Sequence, residues 1–135
     1  ACPPAVATLE ECRRRCLAFE DGFIFTTLSE GADLENMDAM LPMRTDHEKI
    51  TRRIVKMFRE ECREVQAFST ESCAICEHCA YPDAPCRHPG YMLPSVEGYG
   101  ILVTELAEKH GVSFLNGSDV VTWFSLILYT AKENM

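Results

Sequence analysis

Val120-Val121-Thr122-Trp123-Phe124-Ser125-Leu126-Ile127-Leu128-Tyr129 is the longest apolar run in the chain. Its β-branched and aromatic content marks it as a strand. Thr122 and Ser125 interrupt it, and it falls well short of the roughly 20 residues that a membrane-spanning helix requires. Just upstream, Asn116-Gly117-Ser118-Asp119 supplies the positive φ angles of a tight reversal, so Val112 to Leu115 and Val120 to Tyr129 are expected to form a C-terminal hairpin. Phe23-Ile24-Phe25-Thr26-Thr27-Leu28 has the same β-rich character and reads as a further strand, short and buried.

Helices fill most of the intervals. Thr8-Leu9-Glu10-Glu11 is a capping box, so a first helix opens there and closes at Gly22, with Leu9, Cys12, Cys16 and Phe19 on one face. Ser29 to Met43 is less regular and leaves room for one short helix, which Pro42 stops. A second box, Thr45-Asp46-His47-Glu48, starts a long helix to about Val65, whose apolar stripe is Ile50, Ile54, Met57, Phe58, Cys62 and Val65. Its alternating Lys, Arg and Glu describe a solvated face. Ser95 is placed to cap a last helix that turns Val96, Tyr99, Val103, Leu106 and Ala107 inward and ends at Gly111. The order predicts an α+β domain spanning residues 1–135, with three main helices around a small mixed sheet.

Composition narrows the classes. Hydrophobic residues at 47% and charged residues at 25% belong to a globular domain rather than a disordered chain. Thirteen Lys and Arg against 21 Asp and Glu give a net charge of −8, the wrong sign for a phosphate backbone, so neither nucleic acid nor membrane is an expected partner. A cytoplasmic location is expected. The chain starts at Ala1 with no signal segment, and N-terminal residues are expected to be missing.

Cysteine is the outlier, at 8 of 135 residues. Between residues 69 and 94 periodicity vanishes and Cys, Pro and Gly dominate, so this loop needs something other than a local core to order it. Within it Cys73, Cys76, Cys79 and Cys86 follow the pattern Cys-x2-Cys-x2-Cys-x6-Cys. A cubane iron–sulfur cluster has a separate iron at each corner, and three closely spaced thiolates with one more distant suit that geometry. Structural zinc usually takes two separated Cys-x2-Cys knuckles, and the loop has only one such arrangement, so zinc fits less well. Disulfides fit worst, because three cysteines three residues apart need three partners converging on one loop. His78 and His88 are alternative fourth ligands or outer donors, and Arg87 either hydrogen-bonds cluster sulfur or pairs with a carboxylate.

The remaining thiols read first as small hydrophobes: Cys12, Cys16 and Cys62 lie on apolar helix faces. Cys12 and Cys16, four residues apart, also suit a second, incomplete metal site with Cys2. Glu97 is a proton relay, a ligand, or a carboxylate complementing a helix N-terminus. Trp123 and Phe124 are expected in the core.

Several blocks together carry a resemblance: Ala1-Cys2-Pro3-Pro4, Thr8 to Cys12, the strand Phe23 to Thr27, the triple-cysteine loop, Pro85-Cys86-Arg87-His88-Pro89, and Pro94 to Ile101. Over nearly its whole length the chain resembles a prokaryotic family of predicted cysteine-rich metal-binding proteins of unknown function, domain of unknown function 2284. The resemblance implies a metal or iron–sulfur site and supplies no activity. In that family the Cys-Pro-Pro motif follows further cysteines, so Cys2 reads as the survivor of a second site. Gly98 stands where the family usually has Ala.

Three functions compete. The first is a redox or electron-transfer accessory domain in which Cys73, Cys76, Cys79 and Cys86 hold one 4Fe-4S cluster and serve a redox partner protein. The second is an interaction module with the same loop clasped by structural zinc. The third is an enzyme with an open iron as Lewis acid, which requires one cluster corner without cysteine. No Ser-His-Asp arrangement, phosphate loop or dinucleotide fingerprint has the context it would need.

Overall fold

A computed structural model describes residues 8–31, 37–69, 80, 83–88, 92–113, 116 and 120–132. Its elements run α1 (Leu9–Leu17), β1 (Asp21–Ser29), α2 (Met37–Glu61), β2 (Cys62–Ser69), a 3-10 turn (Glu97–Tyr99), α3 (Val103–Lys109) and β3 (Val121–Ala131). The fold is α+β. The apolar run is β3, the central strand of a three-stranded sheet in the order β1-β3-β2, antiparallel to both neighbours.

A central strand covered on both faces has no polar side to show, which explains why this one reads as a continuous apolar run. On one face Phe124 and Leu126 of β3 pack with Phe68 of β2, Cys12 of α1 and Val96, Tyr99 and Val103 from the segments around the 3-10 turn. On the other face Ile127 packs with Ala67, Val55 of α2 and Leu93. Phe68, Phe124 and Ile127 are fully buried. Each such side chain contributes about 1.5–3 kcal/mol relative to exposure.

Several expectations are corrected. The expected first hairpin strand is not formed at Val112, whose amide donates to Ala107 O at 2.9 Å and closes α3 instead of pairing with β3. Ser113 is also outside any strand, while residues 114 and 115 lie outside the described residues. The strands are antiparallel rather than mixed, and the parallel element is one isolated bridge, Ser69 to Ser95. The long helix ends at Glu61 rather than near Val65. The stretch Cys62–Ser69 is a strand, since Val65 and Ala67 face α2 while Phe68 faces the other layer. Spacing of three from Cys62 to Val65 satisfied a helical pattern that pairing with β3 overrides.

Pro42 does not stop a helix either, as α2 runs through it from Met37. Thr45 is no cap: its hydroxyl donates to Leu41 O at 3.0 Å within the helix. Thr8, by contrast, does cap α1, accepting the Glu11 amide at 3.3 Å. That helix ends at Leu17, and Gly22 belongs to β1, paired with Leu128. Leu9 and Met57 stand on the apolar faces of their helices yet are both 64% exposed. Ser95 caps only the 3-10 turn, accepting the Gly98 amide at 3.0 Å, because Gly100 then adopts φ +78 and interrupts the helix before α3. Trp123 and Phe124 are buried and Gly111 takes the left-handed conformation at the end of α3, as the pattern predicts.

Candidate metal centre

The thiol-rich segment leaves the sheet at the end of β2 and returns beside it. Ser69 donates its amide to Pro94 O at 3.1 Å and accepts the Val96 amide at 2.8 Å, a two-bond clasp. Ser69, Leu93, Ser95 and Val96 are all buried there. Phe68 at the departure and Tyr99 just past the return meet edge to face, ring centroids 4.6 Å apart, and Arg15 of α1 donates to the Tyr99 hydroxyl at 3.4 Å. The core therefore pins both ends of the segment at one point. Closing the loop in this way lowers the entropy that any ligand-bound arrangement of residues 70–93 must overcome.

Cys73, Cys76, Cys79 and His78 lie outside the described residues, as does Cys2. Cys86 is a half-buried free thiol whose Sγ accepts the His88 amide at 3.4 Å. An amide directed at sulfur stabilises thiolate and is the kind of contact that tunes a cluster ligand, so this part of the donor set fits the group its spacing implies. Arg87 and His88 are exposed beside it. Among the described residues no group of three or more His, Cys, Asp or Glu side chains comes together to hold an ion.

Cys16 and Cys62 are free thiols, and Cys62 lies half-buried on β2 rather than on a helix. Cys12 is fully buried in the core, with Cys16 packed against it. Burial, with Cys12 adding to it, pushes the Cys16 thiol up. Glu97 is exposed at the first position of the 3-10 turn.

One polar cluster escaped the sequence reading. His47 on α2, 2% exposed, places Nδ1 2.7 Å from Thr27 Oγ1 of β1 and Nε2 2.8 Å from Ser125 Oγ of β3. Thr51, one turn along α2, lies 2.9 Å from the same Ser125 hydroxyl and donates to His47 O. A Ser-His pair at this separation is the arrangement of an activated nucleophile. Here both groups are sealed from solvent, and burial pushes the His47 imidazole down to about 4. The cluster is a structural tie between three elements. Trp123 stacks on the imidazole at 6.4 Å and donates its indole N–H to Ser29 at 2.8 Å. The available signal was Ser125 inside an apolar strand: a hydroxyl there requires a buried partner.

The fold is thus an α+β domain whose cysteine-rich segment starts and ends at a buried clasp beside β2. The chain belongs to the family described as predicted metal-binding protein (DUF2284), whose model matches residues 1–129. No curated protein and no solved structure matches the chain significantly. No helix among the described residues is long and apolar enough to cross a membrane.

Proposed function

We propose that Cys73, Cys76, Cys79 and Cys86 bind one 4Fe-4S cluster, and that the domain is a cytoplasmic redox or electron-transfer accessory unit for a partner protein. The observation that carries this reading is the Cys-x2-Cys-x2-Cys-x6-Cys spacing on a segment whose ends meet at a buried clasp. Three near thiolates and one distant thiolate serve four separate irons better than they serve one tetrahedral ion. When bound, the cluster supplies a one-electron couple. The chain's part is to hold the thiolates, to direct the His88 amide at Cys86 sulfur, and to set Arg87 beside it. Free thiols at Cys16, Cys62 and Cys86 suit a reducing compartment.

Protein purified without oxygen should be brown, carry about four irons and four acid-labile sulfides, and bleach with dithionite. One zinc without sulfide would select the structural clasp instead. Cys86→Ser should make the cluster labile. An unchanged spectrum in that variant would overturn Cys86 as ligand and leave an open iron with enzymatic potential.

A further inference from the structure

We propose that β1 is a dimerisation edge: two copies of the chain pair their β1 strands antiparallel about a two-fold axis at Phe25, joining two three-stranded sheets into one. Among the described residues β1 has a strand on one side only, since the sheet order is β1-β3-β2. The outward main-chain groups of an edge strand are a template for another strand, and folds that stay monomeric blunt such edges with charge, proline, a bulge or a covering segment. β2, the opposite edge, carries these devices: its register shifts between Cys62 and Glu64, Arg63 and Glu64 are exposed, and Ser95 bridges Ser69. β1 has no bulge, proline or lysine. Its nine residues pair with β3 in unbroken register, its one charge is the terminal Asp21, and none of the nine is buried.

A second copy is the occupant that the strand's own sequence fits. Antiparallel pairing of all nine residues with their own copies fixes one register, in which Asp21 meets the partner's Ser29, Gly22 the partner's Leu28, Phe23 the partner's Thr27 and Phe25 its own counterpart. A two-fold axis normal to the sheet keeps each face continuous across the join. Leu28 is 52% exposed within one chain, on the same face as Gly22 and Ile24 by the two-residue alternation of a strand. Opposite Gly22 the partner's Leu28 meets no Cβ, and the groove at that point is lined by Leu17, Ile24 and Leu128. Leu17 is itself 74% exposed, so the pairing brings two exposed leucines together, twice by symmetry. At Phe23 an aromatic ring faces a β-branched residue, a favourable cross-strand pair. Just beyond the strand the same register sets exposed Glu20 against the partner's Glu30, a like-charge contact at each end that opposes association.

The test is sedimentation equilibrium of the full chain, purified without oxygen and kept in a thiol reductant so that Cys62 and Cys86 form no cross-links. The mass should rise towards twice the 15.2 kDa of one chain by roughly 100 μM protein. Leu28→Lys should weaken the dimer at least about tenfold, whereas Leu9→Lys, the same change at an exposed leucine beside Gly100, should alter it less than about twofold. Glu30→Lys turns each end contact into an opposite-charge pair and should tighten the dimer about threefold or more in low salt, the gain fading in high salt. If Leu28→Lys perturbs the circular dichroism spectrum, Glu30→Lys decides alone. A chain that stays monomeric at roughly 1 mM, a dimer that a folded Leu28→Lys variant leaves intact, or one that Glu30→Lys fails to tighten overturns the proposal. The first of these outcomes would leave the edge to an extended strand of another protein.

Discussion

His47 Nε2 lies 2.8 Å from Ser125 Oγ, joining the middle of α2 to the centre of β3 inside the core. Thr51 shares the same hydroxyl. Ser125→Ala therefore strips a partner from two buried groups at once, and leaving buried polar atoms unpaired costs about 1–3 kcal/mol. Urea unfolding of this variant should show a lower midpoint with an unchanged slope. A midpoint equal to that of the parent would mean that the cluster contributes nothing to stability.

The same imidazole predicts an acid sensitivity. Burial holds His47 down at about 4, against an ordinary value near 6.5 in the unfolded chain. As pH falls, the unfolded state takes up the proton first. The His47 contribution is thus fully present above pH about 6.5 and is lost progressively as pH falls towards about 4, an effect of about 3 kcal/mol. Unfolding free energies across this window should fall more steeply in the parent than in His47→Gln. Parallel profiles would refute the assignment.

Thr130 is 2% exposed, and its Oγ1 finds no hydrogen-bond partner among the described residues. Thr130→Val keeps the branched shape and removes the orphan hydroxyl, so it should stabilise the protein by about 1 kcal/mol. Thermal unfolding should report a higher midpoint; a lower one would reveal a partner for the hydroxyl.

Gly100 and Gly31 both adopt positive φ, at 78 and 68. A Cβ at Gly100 would meet Leu9 Cδ2 at 2.9 Å, whereas one at Gly31 meets nothing within 4 Å among the described residues. Leu9 is 64% exposed and free to move, so backbone strain rather than the clash sets the cost. Gly100→Ala and Gly31→Ala should each lose about 1 kcal/mol. A far larger loss at Gly100 would show instead that Leu9 is held in place.

Local rules carried some of the fold into the sequence. The Thr8 cap, the β1 strand, the inward set Val96, Tyr99, Val103 and Ala107, and the turn at Gly111 each depend on neighbours within a few residues. The Cys62–Ser69 strand depends instead on which distant segment supplies the hydrogen bonds. Helical spacing at Cys62 and Val65 was real but incidental. A pattern read along the chain does not contain the competing partner.

By itself the sequence determined the α+β class, a long apolar strand near the C-terminus and a cysteine segment of metal-ligand spacing, because those follow from residue type and interval. Only the tertiary structure decided that β3 lies between β1 and β2, and that His47 meets Ser125. It also decided that Ser69 closes on Pro94 and Val96 at the foot of the cysteine segment. Each of those pairings joins residues far apart in the chain, and burial selects them only when the whole core condenses.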